Sequence, residues 1–395
     1  MLNNQPAVLF LEDGTSFSGV SCGALGEAIG EINFDTSMIG YPEIISDPAN
    51  AGQIIALTYP QAGNYGVALA DLEASRLALR GLVLRDIPGE PSNYRSNISL
   101  PDFLVQQGTV AITGIDTRTL TRHLRANSAQ RAIISTVSND AAELLAKIQA
   151  APSLSGSNLV AEVSCSKPYL YQMHPDHIDW YSPLAELSLK IIAVDLGIRR
   201  STLDNLVRMG AAVIVMPWNS SAEEILEYEP HGVLFSSGPG NPRVLTPTIQ
   251  TAAALLGKVP VMGIGLGHQV LALAVGGSVR RLRSGHRGAN YPVFNLAQDS
   301  VAITTQNHGF CVDFRSMGEL TVNQGHTAIV DNPTCGRIQL AELNLNDRTV
   351  EALRYLDVPV LSYQYLPELA PGPIIKPNPY NAFIDLISES EVNHA

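Results

Sequence analysis

The segment VPVMGIGLGHQVLALAVGG, residues 259–277, sets an apolar run against a glycine-rich turn and then an apolar-periodic stretch. That order of residue types predicts a strand, a sharp elbow and a helix. An elbow of this kind lifts one residue into strained backbone geometry at a helix N-terminus. There the helix dipole stabilises a thiolate, and nearby backbone N–H groups can receive a developing oxyanion. The competing reading, a dinucleotide fingerprint, fails on spacing: G-x-G-x-G is followed by His268, and no acidic residue follows at the ribose-binding distance. A second pair that could do chemistry is His308 and Cys311 in NHGFCVD. On an extended segment their odd separation points them to opposite faces. His268 reads as a helix-packing residue rather than a catalytic one. Cys22, Cys165, Cys311 and Cys335 form no C-x-x-C pair, so neither a zinc site nor a disulfide framework is indicated. The loop SSGPGNP lacks the Lys-Ser/Thr of a phosphate-binding P-loop, and no metal site is expected.

The elements that would position these residues come in two styles. Up to about residue 150 the chain shows short β-rich pieces such as AVLFLEDG and QIIALTYP, broken by Gly, Pro, Asn and Asp, with helical patterns at 118–126 and DAAELLAKIQA. This predicts a mixed β-rich domain over 1–150. Residues 151–188 lack clear periodicity and read as a linker packing on the surface. From 189 to 390, LKIIAVDLG, AAVIVMPW, GVLFSS and VPVMGIG alternate with helical patterns, which predicts an α/β domain with a doubly wound parallel sheet. Ligands in such sheets sit at the carboxyl ends of strands, where SSGPGNP and GIGLGH fall.

Bulk properties narrow the function classes. The chain has 395 residues, 45% of them hydrophobic and 16% charged, with a formal net charge of −12. Two domains with substantial cores fit this length, and the acidic balance argues against nucleic-acid or anionic-membrane partners. No run reaches the roughly 18 apolar residues of a membrane helix. The N-terminus MLNNQPAVLFLEDG lacks a basic region, so a cytoplasmic protein is expected.

GIGLGHQVLALAVGG resembles the elbow G-I-C-L-G-H-Q of class I glutamine amidotransferases, and the whole chain is similar to the glutamine-hydrolysing small subunit of carbamoyl-phosphate synthetases. The similarity is carried in order by LEDGTSFSG, GEINFDTSMIGYPEIISDP, QIIALTYPQAGNYG, GLVLRDIP, AITGIDTRTLTRHLR, SSGPGNP, TTQNHGFCVD and PELAPGP. The resemblance implies that the nucleophilic cysteine falls on Gly265 and the general base of a G-H-P-E motif on Leu366. Glu368, which would orient that base, is retained. Glycine has no side chain to attack an amide, and leucine accepts no proton. Glycine at the elbow also removes a strain of about 1–3 kcal/mol.

The same resemblance places glutamine against Gly238 and Gly240, Leu266 and Gln269, and Asn307, Gly309 and Phe310. The Leu266 N–H and the Gly238 loop would form the oxyanion hole. At Ala49 the family has a serine that touches glutamine, so weaker glutamine binding is expected. His308 receives only a structural role by this resemblance.

Three functions follow as expectations. The first is a catalytically silent small subunit that docks on a carbamoyl-phosphate synthetase large subunit or a homologue of it. That partner would supply carbamoyl phosphate to arginine and pyrimidine synthesis from free ammonia. No cofactor is expected in this chain, and ATP is expected only on the partner. The second is a non-enzymatic module that binds glutamine as an unreacted ligand. The third is an active chain whose hydrolysis has moved to His308 and Cys311.

Overall fold

A computed structural model describes residues 5–127, 129–152, 156–174, 187–324, 327–369 and 378–394. The chain divides into two compact units, Met1–Leu159 and Val160–Ala395.

In the N-terminal unit, strands close into a barrel in the order Pro6–Leu11, Ser16–Ser21, Val110–Thr113, Gly81–Val83, Gln53–Leu57, Glu27–Asp35 and Gln130–Ser135. Side-chain alternation explains its two apolar layers. Leu9 and Leu11 join Ile54, Val83 and Ile134 in one buried cluster. Their neighbours Val8 and Phe10 join Ile133 in another, which is covered by Leu144 and Ile148 of the helix Ala141–Ala150. Asp140 caps that helix by accepting the Glu143 N–H at 2.9 Å. Each of the two helix residues is fully buried, a contribution of about 1.5–3 kcal/mol apiece.

The C-terminal unit is built on parallel strands in the order Ala211–Pro217, Leu189–Asp195, Gly232–Phe235, Val261–Ile264 and Val360–Tyr363. Both faces are covered, so the strand cores, such as Ile191–Val194 and Val233–Phe235, are apolar without alternation. Ile192 and Val194 pack into one cluster with Leu255 and Val270, beneath the helices Thr246–Leu255 and Leu266–Ala274. Ile191 and Ala193 pack into the opposite cluster with Leu203 and Leu206 of the helix Arg200–Arg208.

Beyond this core, antiparallel strands extend the sheet. Ser278–Asn295 pairs with Ser300–Asp313, followed by Gly336–Asn344 and Val350–Tyr355. This extension was not anticipated from sequence. Its long hairpin is polar and half-exposed, so it carries no apolar run of the kind that announced the parallel strands. Within the segment read as a linker, Val160–Val163 is a short helix with Val160 buried in the C-terminal core. Tyr169–Leu170 adds an antiparallel edge strand beside Ile214 and Val215. Among the described residues, no helix is long and apolar enough to cross a membrane.

Candidate functional site

The elbow sits where the strand Val261–Ile264 ends and the helix Leu266–Ala274 begins. Gly265 adopts φ 56° and ψ −107°, a region that residues with a Cβ occupy only under strain. Two hydrogen bonds hold the turn in that shape. The Gly265 N–H donates to the Tyr363 carbonyl at 2.8 Å, and the Gly267 N–H donates to the Ser236 carbonyl at 3.0 Å. A Cβ at position 265 would lie 3.2 Å from Ser237 Cβ. The turn therefore has the strained strand-to-helix geometry of a nucleophile elbow, with a hydrogen where a side chain would stand.

Leu366 lies 3% exposed in the apolar cluster that includes Ile264, Tyr380 and Phe383. Its N–H donates to the Thr305 carbonyl at 3.0 Å, which ties it to the strand Ser300–Asp313. No titratable group occupies this position.

Glu368 is engaged elsewhere. Its Oε1 lies 3.5 Å from Arg199 Nε, and both side chains are almost fully buried. Thr202 Oγ1 donates to the same carboxylate oxygen at 3.1 Å, and the Tyr380 hydroxyl donates to Oε2 at 2.9 Å. Burial, reinforced by the adjacent carboxylate, keeps the Tyr380 hydroxyl protonated by pushing its pKa well above the usual tyrosine range. Arg199 was not singled out from sequence, since an arginine at the start of a helical pattern reads as a solvated charge.

Of the other expected residues of the C-terminal unit, Gly238, Leu266 and Gln269 lie at the elbow, and Gln269 reaches Phe310. A Cβ on Gly238 would meet the Leu196 carbonyl oxygen at 1.9 Å and Leu266 Cδ2 at 3.0 Å. Only glycine fits there, and Gly240 turns with φ 87°. The Gln269 amide nitrogen donates to the Phe310 carbonyl at 3.0 Å and to Gln364 Oε1 at 3.1 Å. Asn307 lies opposite Arg287 in the hairpin, and the place of a Cβ on Gly309 is 3.6 Å from an Arg287 guanidinium nitrogen. Gly238 and Gln269 thus have fold roles independent of a ligand. The Ser237 hydroxyl, unremarked in sequence, is buried beside Gly265 without a hydrogen-bond partner. Its signal was its place at a strand's carboxyl end.

Ala49 belongs to the N-terminal unit, 5% exposed in the turn Pro48–Asn50. Asp47 Oδ1 accepts its N–H at 2.9 Å, and its carbonyl accepts from Gln53 Nε2 at 3.0 Å.

The remaining titratable candidates are not activated. His268 is fully buried, with Nδ1 2.8 Å from Ser362 Oγ, and burial lowers its pKa to about 3. Its ring is therefore neutral near pH 7. His308 Nδ1 lies 2.8 Å from the Phe310 carbonyl oxygen, and its Nε2 lies 2.9 Å from Gln306 Oε1. No hydrogen bond joins it to Cys311, whose thiol is pushed up to about 11 by burial. The neighbouring pair thus lacks the contact and the thiolate that relocated hydrolysis would need.

Residues 9–134 match the family described as carbamoyl-phosphate synthase small chain, CPSase domain, and residues 192–386 match glutamine amidotransferase class-I. The chain is 41% identical to a carbamoyl phosphate synthase small chain of Syntrophotalea carbinolica, over 97% of this chain and 98% of the relative. It is 42% identical to that of Synechococcus sp., over 99% and 96% of the two chains. Identity to the small chain of Nostoc sp. is 44%, over 93% and 92%. Matches that span both units, at this identity and coverage, show that the chain belongs to the carbamoyl-phosphate synthase small chain family.

Proposed function

We propose that this chain is the small-chain component of a carbamoyl-phosphate synthase assembly and has lost its own glutamine hydrolysis, so that the assembly draws on free ammonia. The observation that carries the reading is the pair of side chains at the elbow. Gly265 offers no atom to attack an amide, and Leu366 offers none to accept the proton that attack would release. Glu368 remains because it balances buried Arg199, a structural task that survives without catalysis. The partner is a large subunit, which would bind ATP and bicarbonate, and the acidic chain acts within the cytoplasm.

The test is ammonia release from glutamine by the purified chain, alone and with a large subunit, beside the double variant Gly265→Cys/Leu366→His. No release by the native chain is expected, and carbamoyl phosphate should form from ammonia but not from glutamine. Restored hydrolysis in the double variant would show a scaffold that lost only its reacting side chains. Glutamine-dependent turnover by the native chain would overturn the reading.

Retention of Gly238, Gly240, Gln269 and Asn307 favours a second reading, a module that binds glutamine without reacting. The steric need for glycine at 238 and the internal hydrogen bonds of Gln269 weaken that inference. Calorimetric titration with glutamine decides it: saturable heat supports the module, and its absence removes it.

A further inference from the structure

Away from the elbow, three strands bring together His286, His308 and Glu351, whose ligand-type atoms all lie within 4.8 Å of one another in the interior. His286 and His308 are direct partners across the hairpin, with ring centroids 4.9 Å apart and nearly perpendicular. Glu351 comes from Val350–Tyr355, and its Oε1 is 4.0 Å from His286 Nδ1.

The outer contacts fix which nitrogens face inward. His286 Nε2 donates to Asp347 Oδ2 at 3.0 Å. A carboxylate oxygen accepts, so Nε2 carries the proton and Nδ1 presents a lone pair. His286 Nδ1 is buried and has no hydrogen-bond partner, in a residue only 8% exposed. His308 Nδ1 faces the Phe310 carbonyl at 2.8 Å and Nε2 faces Gln306 Oε1 at 2.9 Å; with the proton on Nδ1, the Nε2 lone pair and the amide oxygen face each other as two acceptors that a shared cation would reconcile. A histidine whose second nitrogen donates to a carboxylate or a backbone carbonyl is the usual supporting arrangement of a metal-bound imidazole.

We propose that His286 Nδ1, His308 Nε2 and the Glu351 carboxylate bind a divalent transition-metal ion, with zinc as the fit to two imidazoles and one carboxylate. Tetrahedral zinc with bonds of about 2.0–2.2 Å sets ligand atoms about 3.4 Å apart. Closing the present separations takes side-chain shifts of under about 1 Å each. Gln306 Oε1 lies 2.9 Å from His308 Nε2, where it can complete the shell, while Gln306 Nε2 donates to Glu351 Oε2 at 2.8 Å. Asn344 Nδ2, 2.8 Å from Glu351 Oε1, orients the carboxylate. The Asp347 carboxylate behind His286 offsets part of the ion's charge, and the buried Arg287 guanidinium opposes it. Bound metal would pin the strand that carries Asn307, Gly309 and Phe310 to its neighbours. The site is legible only in three dimensions, since its ligands share no short motif.

The full chain, stripped with a chelator, is titrated with Co2+ and then Zn2+, and the zinc-loaded native chain is examined by X-ray absorption at the zinc edge. One ion per chain is expected, with imidazole scattering, no sulfur in the shell, and a rise in Tm with zinc. Asp347→Asn, which removes no ligand, should weaken binding about 10- to 100-fold. Glu351→Gln should weaken it at least as much, and His231→Gln should leave it unchanged. Failure of the native chain to retain an equimolar ion, sulfur in the shell, or equal affinity in Asp347→Asn would each overturn the site.

Discussion

At the scale of single residues, the elbow is held by its backbone and not by a side chain. Gly265 keeps φ 56° because the Tyr363 and Ser236 carbonyls still hold the turn. Gly265→Ala should therefore destabilise the chain by about 1–3 kcal/mol through backbone strain, with the 3.2 Å approach to Ser237 adding to it. Urea unfolding measures this, and an unchanged midpoint would remove the strain argument. His268 makes a second prediction. Its folded pKa is about 3, against about 6.5 when unfolded. Between those values unfolding takes up a proton, so stability falls as pH drops through about 6.5 towards 3, by up to about 1.4 kcal/mol per pH unit. His268→Asn should flatten the urea-derived stability profile between pH 6.5 and 5. A slope identical to that of the native chain would mean the ring is not held neutral.

At the scale of elements, the Arg199–Glu368 pair joins the start of the helix Arg200–Arg208 to the turn Pro367–Leu369, and Tyr380 brings in the helix Pro379–His394. Two buried charges are costly to separate but cheap to replace together. Arg199→Met should cost about 3–5 kcal/mol, while Arg199→Met/Glu368→Leu should recover most of that loss. Equal destabilisation by the single and double variants would show that the pair is not coupled. The parallel strands were legible from residues such as Ile191–Val194, apolar without interruption because both faces are covered. The hairpin Ser278–Asn295 with Ser300–Asp313 was not. Its residues are half-exposed, and its register shifts twice, between Arg281 and His286 and between Gly288 and Tyr291. A strict two-residue rhythm is lost at such irregularities.

At the scale of the whole molecule, each unit carries its own apolar core, and the surface carries a net charge of −12 at pH 7. That charge vanishes near pH 5.2, and with it the repulsion that keeps chains apart. Static light scattering should rise as the pH is lowered from 7 to 5 in low salt, and a flat trace would show that net charge does not govern solubility. The amino-acid sequence alone determined the family, the doubly wound sheet and the absence of a thiol at 265 and an imidazole at 366. These are matters of residue type and local order, carried by motifs such as GIGLGHQ and PELAPGP. Only the tertiary structure decided that Glu368 answers Arg199, that the Ser237 hydroxyl lies beside the empty elbow, and that His286, His308 and Glu351 meet. Each of those contacts joins residues from separate elements, and a side chain acquires such a partner only when strand order and register bring the elements together.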